Sequence, residues 1–220
     1  MARFDSEKRK VLEDYTRAKE NDLIDHRIIP ILDLLNSHKD YYSTSSCSGR
    51  VLLLELATPG AKDESQIIIR WHDTFSSKQL EDGLAKWKKY RYLYLLAQAA
   101  IFHIIARNLR AAAKLRNLGD SSGFKYSSLR SIKTVKDKPA KSFNADNDQV
   151  NQDFDSQNSR ITVELLATER LNTPLGFNGK ILVGAEYLEL LVDLANQALR
   201  KSHEKVQKLE TILRKYLINK

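Results

Sequence analysis

A run of hydroxyl side chains between residues 43 and 50 ends in a glycine and an arginine. Ser43-Thr44-Ser45-Ser46-Cys47-Ser48-Gly49-Arg50 offers five hydroxyls, one thiol and one cation within eight residues. Hydroxyl and guanidinium groups donate the hydrogen bonds that anionic and zwitterionic ligands accept. The run therefore predicts a binding site for such a ligand, with a serine-rich turn as the structural alternative.

A second hydroxyl cluster, Ser121-Ser122-Gly123-Phe124-Lys125-Tyr126-Ser127-Ser128, adds an aromatic ring and a lysine. The ring of Phe124 is of a kind that stacks on a base, and Lys125 is of a kind that meets phosphate. Taken alone, the cluster is the start of a strand. Two such clusters in one chain favour their convergence on one pocket.

Two of the five histidines stand beside groups that suggest chemistry. His72 precedes Asp73 at a strand end, where an imidazole of fixed tautomer can accept a proton. His103 lies in an apolar run, where a hydrogen-bonded core residue is the structural alternative. The histidines lack metal-ligand spacing, so no metal site is predicted. Cys47 is either a nucleophile or, as we prefer, a residue that lines the pocket.

The charge distribution favours an acidic partner, with nucleic acid first. The net charge is +8, and residues 84–133 hold eleven Lys or Arg against one acid. The sequence lacks a phosphate-binding loop, a dinucleotide-binding glycine fingerprint and a nucleophile elbow. A single cysteine excludes an internal disulfide, and no apolar run is long enough to cross a bilayer. We therefore expect a cytoplasmic protein with no membrane partner.

The hydrophobic periodicity predicts the elements that must position these residues. Helices are expected at 4–19 (with Asp5 as the N-cap), 25–37 (with Pro30 at the first turn or a kink), 76–88 (capped by Ser76 or Ser77), 108–118 (closed by Gly119) and 185–218. Strands are expected at 41–45, 51–58 and 66–72 as an antiparallel meander, and at 124–133 and 160–167. Residues 90–106 are ambiguous between helix and strand, and their end, 100–106, is interpreted as a strand. Residues 171–183 predict a turn that leads to a short strand, and residues 134–159 a polar insertion. The fold class is α+β, with a mixed, largely antiparallel sheet, packed helices and a long C-terminal helix, in a single domain over residues 1–220.

Several motifs in this order resemble the tRNA wybutosine-synthesizing protein 3 family. They are Asp25 with Ile28, Leu32 and Asn36, the run from Tyr42 to Arg50, His72-Asp73, His103, Gly123-Phe124-Lys125, Pro174, and Glu186-Tyr187-Leu188 with Asn196. The resemblance spans Phe4 to Lys208. The sequence departs from the family pattern at Trp71 and Tyr126, and in the polar insertion.

The resemblance implies an S-adenosyl-L-methionine-dependent methyltransferase that is not of the Rossmann type. The implied reaction is methylation of N4 of the tricyclic wyosine-type guanosine derivative at position 37 of tRNA(Phe), in the anticodon loop. The implied site has donor-binding residues Ser45, Ser46, Cys47, Ser48, Gly49 and Arg50, catalytic residues His72 and Asp73, and substrate-binding residues His103, Phe124, Lys125, Ser127 and Asn196. A non-catalytic basic RNA-binding protein is the alternative; a purely structural helical partner protein rests on the last helix alone.

Overall fold

The computed structural model describes residues 3–58, 65–87, 91–133 and 160–217. Within these ranges the elements are α1 (Arg3–Glu20), α2 (Ile29–Ser37), β1 (Tyr41–Cys47), β2 (Arg50–Leu56), β3 (Ser65–Trp71), α3 (Ser77–Leu84), β4 (Tyr92–Gln98), β5 (Ile101–Ala106), α4 (Leu109–Ser121), β6 (Ser128–Lys133), β7 (Arg160–Leu166), β8 (Leu171–Phe177), β9 (Lys180–Ile181) and α5 (Ala185–Leu217). All the strand pairs are antiparallel. The α+β class and the long C-terminal helix are confirmed.

The chain forms two compact units, and each is assembled from separate stretches of sequence. The first unit holds residues 1–47, 101–167 and 205–220, and the second holds residues 48–100 and 168–204. The single domain expected over the whole chain stays a prediction. The polar insertion expected at 134–159 lies outside the described residues.

The first unit contains a four-stranded sheet with the order β1-β5-β7-β6. Side chains alternate between its two faces. On one face, which we call the apolar face, Phe102 and Leu165 are fully buried and α4 packs over them. A Cβ built on Gly119 of α4 would lie 2.7 Å from a methyl carbon of Leu165, so glycine allows this close approach.

The opposite face of this sheet, which we call the polar face, carries His103 and Glu164 as a cross-strand pair. At one end of the polar face, Phe4 and Val11 of α1 pack against Tyr42 and Ile105. The amphipathic pattern of α1 thus covers part of this face. The polar side chains of β5 and β7 lie beyond that cover.

The second unit contains a five-stranded sheet with the order β3-β2-β4-β8-β9. Its core consists of Val51, Leu53, Phe75, Leu80, Trp87, Leu93, Leu95, Ala97, Leu175, Leu191, Val192 and Ala195. Leu80 comes from α3 and Leu191 from α5, so both helices contribute to this core. Ser76 caps α3 in a reciprocal capping box with Gln79, as the expected N-cap predicts.

Several predicted boundaries and one predicted topology are wrong. The meander over β1, β2 and β3 does not form: β2 pairs with β3, but β1 pairs with β5. Residues 90–106, which were ambiguous, contain the two strands β4 and β5. Local periodicity does not report pairing between distant strands, which is why the sequence missed this exchange.

The remaining differences lie at helix and strand ends. Helix α2 begins at Ile29, and Pro30 occupies its first turn because proline has no N–H to contribute there. Asp5 lies inside α1 and pairs with Arg107 instead of capping the helix. Helix α4 runs past Gly119 to Ser121, and the chain turns at Gly123, whose φ is +99°. Strand β6 begins at Ser128, four residues later than predicted.

Residues 171–183 form the β8–β9 hairpin instead of a turn and a short strand. Its two central residues, Asn178 and Gly179, have φ angles of 47° and 79°. Positive φ at both positions suits the right-handed twist of the flanking strands. Among the described residues, no helix is long and apolar enough to cross a membrane.

Candidate functional site

A groove in the first unit is lined by the predicted hydroxyl run. It has a volume of about 360 Å³ and is lined by Val11, Asp14, Tyr15, Ala18, Leu23, Ile24, Asp25, Ile28, Leu32, Ser43, Thr44, Ser45 and Ser46. Helices α1 and α2 supply its apolar wall and β1 supplies its hydroxyls. A volume of this order is typical of small-molecule sites, which combine an apolar lining with a few polar groups.

The polar lining of the groove is acidic and hydroxylic. Among the described residues, its ionisable side chains are Asp14, Tyr15 and Asp25, and no described lysine, arginine or histidine lines it. The Tyr15 hydroxyl donates to Asp33 over 2.7 Å, and burial together with that carboxylate raises the pKa of Tyr15. Tyr15 therefore stays a neutral donor. A cationic ligand with an apolar body matches this lining.

Ser46 brings an unpartnered hydroxyl to the groove. Its Oγ is buried and makes no hydrogen bond within the described residues. A buried polar atom without a partner is costly, so such an atom in a pocket wall favours a ligand group that pairs with it. Asp25 lies nearby, with a carboxylate oxygen within 4.8 Å of the Cys47 sulfur.

The start of β1 is fixed by α2. The Asn36 side-chain oxygen accepts hydrogen bonds from the backbone N–H of Ser43 over 2.8 Å and from the Ser43 hydroxyl over 3.2 Å. Both residues are buried, so water does not compete for these bonds. These bonds fix the position of β1 relative to α2, and therefore the position of the β1 hydroxyls in the groove wall.

One side chain from each strand of the first unit's sheet joins a hydrogen-bonded series on the polar face, which we call the four-strand network. Ser45 Oγ on β1 lies 2.9 Å from His103 Nδ1 on β5. His103 Nε2 lies 2.8 Å from Glu164 Oε2 on β7. Arg130 Nε on β6 donates to the same oxygen over 2.9 Å. The network thus runs from an exposed hydroxyl to a side chain that is only 5% exposed, that of Glu164.

Glu164 is the ionised member of this network. Burial by itself raises the pKa of its carboxyl, but the hydrogen bonds and charges of His103 and Arg130 outweigh burial and hold that pKa below its usual value. A carboxylate accepts hydrogen bonds and donates none. Glu164 therefore fixes the orientation of the His103 ring.

The rest of the hydroxyl run lies in the second unit. Ser48 is fully buried, and Gly49 has a φ of +109° in a tight turn. A Cβ at Gly49 would lie 3.0 Å from the Ser202 hydroxyl and 3.2 Å from the carbonyl oxygen of Gln98, so only glycine fits. Arg50 donates to the Gln98 side chain over 2.7 Å, which aims its guanidinium.

His72 and Asp73 lie where β3 gives way to α3 in the second unit. His72 Nδ1 lies 3.3 Å from the carbonyl oxygen of Gly49, and Asp73 is exposed. Asn196 of α5 holds this segment: its amide accepts from the backbone N–H of Phe75 over 3.0 Å and donates to the Phe75 carbonyl over 2.8 Å. Asn196, predicted to bind substrate, positions the His72–Asp73 segment, and its substrate role stays a prediction.

The second hydroxyl cluster does not line the groove. Its last residue, Ser128, begins β6, and β6 and β1 are the two edge strands of the sheet. Ser121 and Ser122 donate to carbonyls of α4, and Ser127 donates to the carbonyl of Phe124. These hydroxyls serve their own backbone, and the convergence of the two clusters on one pocket stays a prediction.

Phe124 and Lys125 have local partners in this structure. Phe124 is fully buried and meets Phe102 edge-on, with 5.8 Å between the ring centroids. Lys125 pairs with Asp120 over 3.2 Å. Trp71 is stacked on Phe75, with 4.3 Å between the ring centroids. The substrate-binding roles of Phe124, Lys125 and Ser127 stay predictions.

Sequence analysis missed Glu164, Arg130 and Asp25 as site residues. Glu164 stands in the otherwise apolar strand Ile161 to Leu166, and a lone acid in a buried strand was the sign that it serves a partner. Asp25 belongs to the motif pattern but was given no role. Arg130 cannot be distinguished in the sequence from the other basic residues between residues 84 and 133.

Comparisons with known proteins place the chain in one family. Residues 6–215 match the model of the family described as Methyltransferase TYW3. The chain is 32% identical to tRNA(Phe) 7-((3-amino-3-carboxypropyl)-4-demethylwyosine(37)-N(4))-methyltransferase 1 of Thermococcus kodakarensis, over 96% of this chain and 94% of that protein. It is 35% identical to the protein of the same name from Pyrococcus furiosus, over 94% of this chain and 93% of that one.

A solved structure has the same fold. The PH1069 protein from Pyrococcus horikoshii superposes with a TM-score of 0.80 at 33% identity, over 96% of this chain and 95% of that one. The family model covers nearly the whole length described above, from α1 to the end of α5. The chain belongs to the Methyltransferase TYW3 family.

Proposed function

We propose that this protein transfers a methyl group from S-adenosyl-L-methionine to N4 of the wyosine-type guanosine derivative at position 37 of tRNA(Phe). The observation that carries the proposal is the near full-length match to relatives that are named for this reaction. The groove supports it, because its lining suits a cationic ligand with a planar apolar part. We propose a cytoplasmic location for the protein, in keeping with a tRNA substrate.

The methyl donor fits the groove by charge. When bound, S-adenosyl-L-methionine supplies an already activated methyl group on a positively charged sulfur. The carboxylate of Asp25 would face that charge, and the unpartnered hydroxyl of Ser46 would offer a hydrogen bond to the donor's polar groups. The assignments of Cys47, Ser48, Gly49 and Arg50 to the donor rest on the family resemblance. Because the methyl group is already activated, the protein's main task is to align the acceptor nitrogen, the methyl carbon and the sulfur.

The tRNA partner is supported by the charge of the first unit. Arg110 and Arg116 on α4, and Lys208 on α5, are exposed, and Lys114 lies 5.6 Å over the ring of Tyr216. Lysine and arginine side chains bind phosphates without regard to sequence. Because α4 covers the apolar face, this helical surface suits a stem of the tRNA. The anticodon-loop nucleotide, and the orientation of its base by His72 and Asp73, are part of the proposal.

The decisive experiment incubates the protein with tRNA(Phe) that carries the demethylated tricyclic base and with a donor labelled in its methyl group. Nucleoside mass spectrometry should place the label on N4 of residue 37. Label on another nucleoside would refute the proposed substrate. Failure of any label to transfer would favour the alternative, a non-catalytic RNA-binding protein.

Two variants test the groove directly. Ser46→Ala should weaken donor binding about 5- to 30-fold, the effect of losing a hydrogen bond of one to two kcal/mol. Ser121→Ala is the matched control, because its hydroxyl serves only its own helix. Calorimetry with the donor measures both. Equal affinities in the two variants would exclude Ser46 from the site.

Charge recognition has its own test in Asp25→Asn. The wild type should bind the sulfonium donor more tightly than S-adenosylhomocysteine, whose sulfur is neutral. Asn keeps the shape of Asp25 and removes its charge, so this preference should shrink severalfold. An unchanged preference would mean that the carboxylate does not face the sulfonium.

A further inference from the structure

The four-strand network ends at a groove-lining hydroxyl. Ser45 lines the groove and is exposed, whereas His103 lies behind it and is 27% exposed at its side chain. The register of β1 against β5 shifts between Ser43 and Ser46, and this irregularity places Ser45 against the His103 ring. Nothing in the stability of a sheet requires this arrangement, since exposed hydroxyls are satisfied by water.

The partners of His103 fix which ring nitrogen carries hydrogen. Glu164 is ionised and can only accept, so Nε2 of His103 donates to it. In the neutral ring, Nδ1 then has a free lone pair, and the Ser45 hydroxyl donates to that lone pair over 2.9 Å. The Ser45 oxygen is thereby able to accept a proton from a molecule in the groove.

The charged side chains of the network belong to the two strands beyond β5. Glu164 stands opposite His103 on β7, and Ser45 faces the His103 ring from β1 without charge. The other charged side chain in the network is Arg130 of β6, which binds the same oxygen of the Glu164 carboxylate as His103 does, at 2.8 to 2.9 Å. Arg130 keeps Glu164 ionised, so the carboxylate remains available to stabilise an imidazolium.

The proposed reaction needs such a group. A ring nitrogen that carries hydrogen and becomes a neutral N-methyl nitrogen must lose one proton. The new C–N bond forms as the S–C bond breaks, and the electron pair of that bond stays on sulfur. The electrons of the N–H bond stay on nitrogen, and the proton must go to an acceptor within hydrogen-bond reach.

We propose that Ser45 takes this proton from the acceptor nitrogen and passes its own proton to Nδ1 of His103, with Glu164 and Arg130 as the positioning pair. The proposal rests on the proposed function and adds its proton acceptor. The imidazolium stays paired with Glu164 until it returns its proton to solvent through the exposed part of the ring. Ser45 is then the catalytic residue of the relay, and His103 acts through it.

The test measures single-turnover methyl transfer to the demethylated tRNA(Phe) from pH 5.5 to pH 9. The wild-type rate should rise with pH along an acid limb and then level off. His103→Gln should lower the plateau about 100-fold or more and abolish that limb, the size of effect expected for loss of a general base. Glu164→Gln, which weakens the hydrogen bond that orients the His103 ring, should lower the plateau by less than His103→Gln does.

Controls separate the relay from folding and from donor binding. His103→Gln and Glu164→Gln should bind the donor with wild-type affinity, because neither residue lines the groove. Ser121→Ala should keep the wild-type profile. An independent readout is the ¹⁵N spectrum of the His103 ring, which should show hydrogen on Nε2 and none on Nδ1 at high pH.

The outcomes are distinct. An active wild type with an unchanged rate and pH limb in His103→Gln would overturn the relay and leave the proposed function intact. A wild type that transfers no methyl group would overturn both. Hydrogen on Nδ1 of His103 would also overturn the relay, whatever the rates, because Ser45 would then have no acceptor.

Discussion

The two faces of the first unit's sheet are made by alternate residues of the same strands and do different work. Phe102 and Leu165 lie opposite each other on the apolar face, where α4 excludes water. His103 and Glu164, one residue along each strand, lie opposite each other on the polar face. Neighbouring residues of one strand therefore serve core packing and the hydrogen-bonded network in turn, because side chains alternate between the two faces with a period of two residues. Packing on the apolar face therefore fixes the spacing between strands at which the four-strand network forms on the polar face.

The largest effect is expected on the apolar face. Phe102→Ala should lower the free energy of unfolding by about 3 to 5 kcal/mol, because it removes a fully buried ring and leaves a cavity against Phe124. Denaturant unfolding measures this change. Ile132→Ala, at an exposed residue of β6, is the control and should cost less than about 1 kcal/mol. Equal effects would mean that the apolar face does not hold the sheet.

An intermediate effect, dependent on pH, is expected on the polar face. Glu164→Gln should lower the free energy of unfolding by about 1 to 3 kcal/mol at pH 7, because charge-assisted hydrogen bonds to His103 and Arg130 are lost. The pKa of Glu164 lies below its ordinary value of 4.5 in the folded state. Its stabilisation is therefore present above pH 4.5 and is lost as the pH falls through the lower folded-state value.

The measurement is a pair of unfolding curves for the wild type and Glu164→Gln at pH 7 and again near pH 3. The difference between the two proteins should shrink at the lower pH. A difference that stays constant with pH would show that the Glu164 carboxylate contributes by shape and not by charge.

A smaller effect is expected where α4 begins. The Asn108 side chain accepts a hydrogen bond from the backbone N–H of Ala111 over 2.8 Å and caps the helix that covers the apolar face. Asn108→Ala should destabilise the protein by about 1 kcal/mol. Asn117→Ala, within the same helix and exposed, should be neutral or slightly stabilising. Thermal unfolding distinguishes them, and equal melting temperatures would exclude the cap.

The smallest effect is expected on the polar face away from the network. The Ser131 hydroxyl donates to that of Thr162 over 3.0 Å, between β6 and β7. Ser131→Ala should change the free energy of unfolding by less than about 1 kcal/mol, because water replaces the lost bond at this half-buried position. A loss as large as that of Glu164→Gln would show that hydroxyls all over this face, and not the charged network, hold the strands.

Local pattern predicted most elements but not their partners. Helix α1, the N-cap Ser76 and the helix from Ala185 to Leu217 follow from hydrophobic spacing and capping chemistry. The pairing of β1 with β5 instead of β2 does not follow from these patterns, because the alternating side chains of β1 are compatible with either neighbour. Gly119 was read as a helix end because glycine commonly ends helices, whereas here its missing side chain makes room for Leu165.

The candidate site divides in the same way. The run from Ser43 to Arg50 was recognisable in sequence because its composition is unusual, and it carried the family resemblance with it. His103 was left between a core role and a substrate role, since sequence does not reveal a cross-strand neighbour. Glu164 lies 61 residues further along the chain, and it contacts His103 only because β5 and β7 pair.

Residue type and short-range spacing are enough to predict the α+β class, the family and a binding role for the hydroxyl-rich stretch. The tertiary structure decided which hydroxyls face a groove and which bind their own helix. It also decided that Ser45, His103, Glu164 and Arg130 form one series across four strands. The physical reason is that hydrogen bonds between side chains require contact within about 3 Å, and strand pairing between distant segments is what creates that contact.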